Sequence, residues 1–287
     1  MHEDSIALSA ADLDDARDAR PAQPRSLIVT IYGSYARDVG GWLSVATLIR
    51  LMAALGVDEP AVRSSISRLK RRGVLAAERL DGAAGYALSD EGRAILSEGD
   101  RRIFGRRTAH ADDGWVLAVF SVPESQRAHR HTLRSRLAWL GFGTVAPGVW
   151  IAPGHLADEA RDVLTRLRLA DYVDLFEARY LGFAELPEEI GRWWNLDQLQ
   201  ESYAAYLDAW RPALQRWRAA GDVDPEQAFT DYVCTLTDWR RLPYMDPGLP
   251  VELLPDDWKG TEAAELFFEL RERLAGPARD YLDQVRD

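Results

Sequence analysis

The stretch Val62 to Arg72, which reads VRSSISRLKRR, holds the side chains with the clearest chemical capacity in this 287-residue chain. If it is helical, successive residues rotate by about 100°, so Val62, Ile66 and Leu69 share a buried side. The opposite side offers hydroxyl and cationic donors and no acid, from Arg63, Ser64, Ser67, Arg68, Lys70 and Arg71. Such a face fits a DNA major groove, where Arg bonds guanine O6 and N7 and Ser bonds several base edges.

Local signals predict the elements that position this face. Asp58 is an N-cap residue, Pro60 stands in the first helical turn, and Gly73 ends the helix. Two helices should precede it. The first carries an apolar stripe of Leu27, Ile28, Ile31, Tyr32 and Tyr35, and the second one of Val45, Leu48, Ile49, Met52 and Leu55. Ser44 can cap the second helix and Gly56 closes it, so the short connection predicts a helix-turn-helix.

A β-hairpin is predicted directly after the basic helix. Leu75 to Arg79 and Gly85 to Leu88 are extended stretches around Asp81-Gly82, which is a turn signal, and Ser89 can cap a following helix. Three helices, a hairpin and a helix form the order of a winged helix-turn-helix, in which Arg79 would contact the phosphate backbone. A basic helix alone is as often a solvated surface, and the hairpin favours an interface.

The charge is distributed unevenly along the chain, although the net charge is -11. Residues 1–20 hold six acids and two bases, residues 25–107 nine acids and fourteen bases, and residues 108–287 thirty-one acids and nineteen bases. We therefore expect a flexible acidic tail at 1–24. Residues 25–107, called here the basic segment, should form a DNA-binding domain with an anionic partner.

Composition also indicates the compartment. The N-terminal stretch lacks the pattern of a signal peptide, and no apolar run is long enough to span a membrane. Cys234 is the single cysteine, which excludes an internal disulfide and suits a reducing interior. The sequence predicts a cytoplasmic protein, and a buried, inert thiol at Cys234.

Residues 108–185 alternate between strand and helix patterns. A buried strand in DGWVLAVFSVPE precedes a helix at about 126–140, two short extended pieces surround Pro147-Gly148, and a second helix and a strand at YVDLFEARYL follow. This β-α-β-β-α-β order predicts a ferredoxin-like domain.

Residues 186–287 have mainly helical patterns with large aromatic side chains. The first stripe comprises Leu199, Tyr203, Tyr206, Leu207, Trp210, Leu214 and Trp217. The second comprises Phe229, Tyr232, Val233 and Leu236, and the third Leu266, Phe267, Leu270 and Leu274. We expect these stripes to be core rather than a ligand cage. Pro212 should kink or break its helix.

Long segments of the chain resemble the PaaX family, bacterial repressors of phenylacetic acid catabolism, over nearly all residues after 24. In the basic segment the resemblance rests on RSLIVTIYG, LIRLMAALGVDEPAVRSSISRLKRRGVL and YALSDEGRAIL. In the last part it rests on WNLDQLQESYAAYL and DWRRLPYMDPGLPVELLPDDWKG. The middle part resembles the family's ferredoxin-like module, which is similar in fold to small CRISPR-associated endoribonucleases.

The resemblance implies a dimeric repressor that binds a palindromic operator in double-stranded DNA. A coenzyme A (CoA) thioester such as phenylacetyl-CoA would bind the C-terminal part and release the DNA, with residues 108–185 as a dimerisation or regulatory module. Arg63, Ser64, Ser67 and Arg68 match the family's recognition helix by position. The operator, the effector and the choice between repression and activation stay open.

An effector with several negative charges needs arginines in an otherwise acidic region. Arg240 and Arg241 lie beside Tyr244 in an irregular Pro-rich segment, where a pocket and a structural ion pair are equally good interpretations. Arg130 and Arg134, with Arg127, line one side of a predicted helix. For that stripe a solvated face is the better interpretation.

Catalytic motifs are scarce, so no enzyme, metal site or cofactor is predicted. His129 and His131 point to different helix faces, and nucleotide-binding and hydrolase motifs are missing. Two alternatives remain. A metal-dependent nuclease would need acids at the end of the first central strand, but none precedes Glu124 there. Acids on the exposed face of the basic helix would favour a winged-helix protein-docking module, and we expect none there.

Overall fold

The fold is mixed α+β with a helical C-terminal part. A computed structural model describes residues 23–105, 108–110 and 113–286. Residues 1–22 of the predicted acidic tail lie outside the described residues. No helix in the described ranges combines the length and the apolar composition that crossing a membrane requires.

Residues 23–105 form a helical cluster with a small sheet. The elements are α1 (Pro24–Ser34), β1 (Trp42–Ser44), α2 (Val45–Ala54), α3 (Glu59–Arg71), β2 (Leu75–Leu80), β3 (Ala83–Leu88) and α4 (Asp90–Phe104). The sheet has the order β1-β3-β2, and both pairings are antiparallel. The predicted face of α1 is buried throughout. Strand β1 was not predicted, because three residues are too few to show an alternating pattern.

Residues 115–178 form a sheet covered by two helices. The elements are β4 (Trp115–Phe120), α5 (Arg127–Trp139), β5 (Gly143–Ala146), β6 (Val149–Pro153), α6 (Ala157–Arg166) and β7 (Val173–Ala178). The strand order is β5-β6-β4-β7, with every pairing antiparallel. One core joins the sheet to both helices and includes Val116, Ala118, Leu133, Leu137, Val163 and Leu164. The opposite face packs Trp115 and Ile151 against Trp194.

The C-terminal part consists of α7 (Leu186–Trp193), α8 (Leu196–Ala219), α9 (Pro225–Trp239), α10 (Leu242–Met245) and α11 (Lys259–Arg286). The aromatic stripes form core, as expected: Tyr203, Phe229 and Phe267 are fully buried. Helix α8 continues through Pro212, so the expected break is wrong, and the kink stays a prediction. Leu207 and Leu214 are buried on either side of it, and their packing outweighs a cost of about 3 kcal/mol for an interior proline.

The basic segment and the C-terminal helices share one hydrophobic core. Leu27, Ile31 and Tyr35 belong to the same buried cluster as Phe229 and Phe267. The Tyr35 ring centroid lies 6.0 Å from that of Phe229. The hydroxyls of Thr30 and Thr237 form a buried hydrogen bond of 2.7 Å between α1 and α9. The helix that starts the basic segment therefore packs on the C-terminal bundle as one body.

Candidate nucleic-acid interface

Helix α3 is fixed at both ends by the residues that the sequence indicated. The Asp58 carboxylate accepts a hydrogen bond from the amide of Ala61 at 2.9 Å, and Pro60 occupies the first turn. At the other end Gly73 has a φ of 75°, a left-handed conformation that ends helices. Val62, Ile66 and Leu69 are buried, which sets the rotation of the helix about its axis.

This rotation exposes the whole predicted DNA-binding face of α3. Its members are Arg63, Ser64, Ser67, Arg68, Lys70 and Arg71, and all six are exposed. The structure therefore brings the predicted helix residues together on one accessible surface, called here the α3 face. Guanidinium, ammonium and hydroxyl donors on such a surface can bond base edges and phosphates.

The expectation that no acid accompanies this face is wrong at the first turn. Glu59 is exposed, and its Oε1 accepts a hydrogen bond from Nε of Arg63 at 2.7 Å, with Nη2 of Arg63 at 2.6 Å. The cause is spacing, since residues four apart are neighbours on a helix. Exposed pairs of this kind contribute only about 0.3–0.5 kcal/mol, so Arg63 can exchange its carboxylate partner for DNA at low cost.

The hairpin beside α3 closes through a two-residue turn. Asp81 and Gly82 have φ values of 51° and 83°, as a type I′ turn requires, so Asp81-Gly82 acts as the sequence indicated. Arg79 lies opposite Ala84 in β3 and is exposed. Strand β1 braces the base of the hairpin. The Trp42 ring lies so close to Gly85 that a Cβ there would be 2.4 Å from it.

The start of α4 ties the hairpin to the end of α3. The Ser89 hydroxyl accepts a hydrogen bond from the amide of Gly92 at 2.9 Å, which caps α4. The same hydroxyl contacts the carbonyl oxygens of Gly73 and Val74, the two residues that follow α3 and its C-cap. The α3 face, the hairpin and α4 are therefore held in one arrangement.

The predicted effector residues have different hydrogen-bond and ring partners. Nη1 of Arg130 lies 2.9 Å from Oε2 of Glu124 and Nη2 lies 2.7 Å from the carbonyl of Val122, so Arg130 holds the start of α5. Arg134 is exposed on the same helix. Nη2 of Arg240 donates to the carbonyl of Ser26 in α1 at 3.3 Å.

Two other members of the Pro-rich segment have different surroundings. Arg241 lies near the partly buried carboxyl of Asp238. Burial raises the pKa of Asp238, and the hydrogen bond from Trp210 and the charge of Arg241 lower it. The ring of Tyr244 lies 5.3 Å from that of Trp139, and the guanidinium of Arg102 lies 5.5 Å from the centre of the Tyr244 ring. Burial raises the pKa of Tyr244 to about 12, so the hydroxyl is neutral at physiological pH.

Sequence reasoning overlooked Arg101 and Arg102 at the end of α4. Both line a cleft of about 210 Å³ that also involves α6 and the Pro-rich segment. The available signal was the basic stretch DRRIFGRR, which entered the charge count of the basic segment but was not singled out. In the described ranges, no three His, Cys, Asp or Glu side chains are grouped as a metal site would need.

Comparison with known proteins covers most of the chain. Residues 23–92 match the family model described as PaaX-like protein, and residues 108–190 match the PaaX protein central Cas2-like domain. Residues 194–284 match the PaaX-like protein C-terminal domain. The central sheet and its helices are thus similar to a Cas2-like domain.

Two individual proteins are similar over almost their full lengths. The transcriptional repressor PaaX of Escherichia coli K12 is 29% identical over 279 residues, which is 95% of this chain and 87% of that protein. The solved structure of the uncharacterized protein Rv0674 from Mycobacterium tuberculosis superposes with a TM-score of 0.58 at 24% identity. It covers 89% of this chain and 96% of that one, and supports the fold.

Proposed function

The chain belongs to the PaaX family, and from this premise we propose that it is a transcriptional repressor that binds operator DNA through the α3 face and the β2–β3 hairpin. The similarity to a named transcriptional repressor supports a regulator rather than an enzyme. One observation carries the proposal. An acidic chain places six exposed cationic and hydroxyl side chains on a single helix face.

The arrangement around α3 supports a winged helix-turn-helix. Helix α2 precedes α3, and the three-stranded sheet with its hairpin follows. In this geometry α3 enters the major groove, where Ser64, Ser67 and Arg68 meet base edges. Arg79 at the hairpin meets the phosphate backbone, where it adds affinity without sequence preference.

We also propose that the chain binds DNA as a homodimer. The strand order β5-β6-β4-β7 with two helices on one face supports a ferredoxin-like topology for the central part, and we assign dimerisation or regulation to it. Two-fold pairing would place the two α3 faces about one helical turn, ~10 bp, or a multiple of it apart.

The signal we propose is a CoA thioester of an aromatic acid, such as phenylacetyl-CoA, which binds outside residues 23–105 and releases the operator. A 100-fold change in operator affinity requires about 2.7 kcal/mol of coupling between the two ligands. Operator DNA must weaken thioester binding by the same factor, because the coupling is reciprocal.

The test of DNA binding compares two arginines with a matched control. Arg68→Ala should weaken operator binding by about 1–3 kcal/mol and blur sequence preference, since it would remove a base contact. Arg79→Ala should weaken operator and random DNA alike and reduce the salt dependence by about one unit. Arg161→Ala removes an exposed arginine from α6, far along the chain, and should change neither.

Fluorescence anisotropy over a salt series, with an operator fragment and a random duplex, measures all three variants. A further variant, Glu59→Gln, frees Arg63 and removes a negative charge from the α3 face, so its affinity should rise. The proposal fails if Arg68→Ala and Arg79→Ala both bind as the wild type does. Cleavage of either duplex with added divalent metal would instead favour a nuclease, and protein capture without DNA binding a docking module.

A further inference from the structure

A cleft opens where the basic segment, the central part and the C-terminal part meet. Helix α4 contributes Arg101 and Arg102, and the segment after α10 contributes Asp246. His155 comes from the turn before α6, and Glu159 from the first turn of α6. Its volume of about 210 Å³ is below the roughly 300–1,000 Å³ of pockets that enclose drug-sized ligands. The cleft can therefore hold one group of a larger ligand whose remainder lies outside.

Arg102 is the central charged group of this cleft. Its side chain is only 12% exposed, and its guanidinium lies 5.2 Å from the centre of the Trp139 ring. Nε donates to the carbonyl of Pro243 at 3.3 Å, and Nη1 donates to Oε1 of Glu159 at 3.4 Å. A bond between an ionised donor and a carboxylate is usually about 2.7–2.9 Å, so the contact with Glu159 is long. The contact with the Pro243 carbonyl also lies just beyond the usual range of about 2.7–3.2 Å for N–H···O bonds.

The guanidinium therefore has donor capacity that nearby protein groups do not use. It carries five N–H groups, and the hydrogen bonds to described residues engage two of them. Burial lowers the pKa of Arg102, which expresses the cost of removing the charge from water, while the carboxylates of Glu159, Asp246 and Glu98 and the Tyr244 hydroxyl act in the opposite sense. An arginine stays charged in a protein, so a second anion close to it would offset that cost.

The carboxylates of the cleft differ in how they would respond to an anion. Asp246 is buried, and both of its carboxylate oxygens already accept hydrogen bonds. Oδ2 accepts from the hydroxyl of Tyr203 at 2.7 Å, and Oδ1 accepts from the amide of Gly248 at 2.8 Å. The side chain of Glu159 is 38% exposed and can turn to solvent. A ligand anion would thus replace Glu159 on Arg102, with the exposed Arg101 at the mouth.

We propose that this cleft is the regulatory site and binds a phosphate group of the effector, with Arg101 and Arg102 as its donors. The inference rests on the proposed function, because it gives a location to the ligand named there. Phosphate is the group that best uses the bidentate geometry of a guanidinium, and a CoA thioester carries several.

Helix α4 connects this site to the DNA-binding surface. Arg102 lies in the last turn of α4, and the first turn is capped by Ser89, which contacts the residues that follow α3. Loss of the Arg102–Glu159 contact would weaken the attachment of α4 to the central part and leave the Arg166–Glu98 pair in place. A movement of α4 would then reach both α3 and the hairpin.

The experiment is titration calorimetry of the full chain with phenylacetyl-CoA, inorganic phosphate and phenylacetate. Arg101→Gln and Arg102→Gln should each weaken phenylacetyl-CoA binding about tenfold or more, since each loses a charged hydrogen bond. Glu159→Gln should strengthen it several-fold, because the competing carboxylate is gone. Arg161→Gln, two residues after Glu159 in α6 and paired with Asp158, should bind as the wild type does.

Glu159→Gln should strengthen phenylacetyl-CoA binding, whereas the two arginine variants should weaken it. If the Arg102–Glu159 pair were only a structural contact, Glu159→Gln would not strengthen binding. If Arg102→Gln does not fold, as circular dichroism would show, Arg101→Gln and Glu159→Gln carry the test, since both side chains reach solvent. Equal phenylacetyl-CoA binding by wild type and both arginine variants would overturn the site and leave the proposed effector standing. Variants that lose only inorganic phosphate would show a free-phosphate site, and a wild type that binds no thioester would remove both the effector and this inference.

Discussion

Replacement of Phe229 by alanine should destabilise the DNA-binding segment, although Phe229 lies in helix α9 of the C-terminal part. The ring is fully buried, with its centroid 6.0 Å from that of Tyr35 and 5.3 Å from that of Tyr281. Tyr35 follows α1 directly, so the cavity would open at the junction between the basic segment and the C-terminal helices.

The magnitude follows from the size of the group removed. A buried Phe→Ala change costs about 3–5 kcal/mol, from lost burial and from the cavity left behind. Because Tyr35 is itself buried, we expect little collapse into the cavity and a value of about 4 kcal/mol. For a urea dependence of about 3 kcal/mol per M, the unfolding midpoint should fall by roughly 1.3 M.

Two probes followed during urea unfolding make the assay specific. Operator binding reports on the basic segment, and far-ultraviolet circular dichroism reports on all helices, with the largest share from the C-terminal ones. With one shared core, both signals should move to the same lower midpoint in Phe229→Ala. Phe176→Ala is the matched control, since that ring is 51% exposed in β7 and should change the midpoint little. If operator binding kept the wild-type midpoint while the helical signal shifted, the shared core would be refuted.

Three further results are expected. A fragment of residues 23–105 should lack cooperative unfolding and bind a hydrophobic dye, because Ile28, Ile31 and Tyr35 lose the helices that cover them. Asp58→Ala should lower the free energy of unfolding by about 1 kcal/mol in urea titration through loss of the α3 N-cap, and Asp58→Asn should restore most of it. Cys234 should react with a thiol reagent at pH 8 about a thousandfold more slowly than in urea. Burial raises its pKa to about 12, so the neutral thiol persists until the pH approaches that value; equal rates in both conditions would contradict this.

Much of the DNA-binding surface could be predicted from the sequence because local rules determine it. The N-caps Ser44, Asp58 and Ser89 all accept the expected amide hydrogen bond three residues on. The apolar spacing of Val62, Ile66 and Leu69 set which side of α3 faces outward. The turn at Asp81-Gly82 likewise needs only the two residues in it.

The rest depended on contacts between distant parts of the chain. Nothing near Tyr35 in sequence indicates that its ring meets Phe229, and nothing near Arg102 indicates Glu159 or Pro243. The Arg63–Glu59 pair is the exception, because the two residues are four apart in the sequence and this spacing alone predicts their contact on a helix. Long-range packing also explains why Pro212 interrupts no helix, as tertiary burial overrides local propensity.

The distribution of cores indicates which interface can move when a ligand binds. Separating α1 from α9 would expose side chains such as Ile28, Ile31 and Phe229, each worth about 1.5–3 kcal/mol of burial. That total exceeds the 1–3 kcal/mol typical of coupling between two sites. The central part has its own core, and polar pairs connect it to α4: Arg102 with Glu159 at 3.4 Å and Arg166 with Glu98 at 3.2 Å. Ion pairs that reach solvent contribute at most about 1 kcal/mol each, so the 1–3 kcal/mol of coupling between two sites is enough to rearrange them. Trp115 and Ile151 of the central sheet also pack against Trp194 in an apolar cluster, so the central part stays attached to the C-terminal part. Its polar junction with α4 is therefore the contact that should rearrange when a ligand binds.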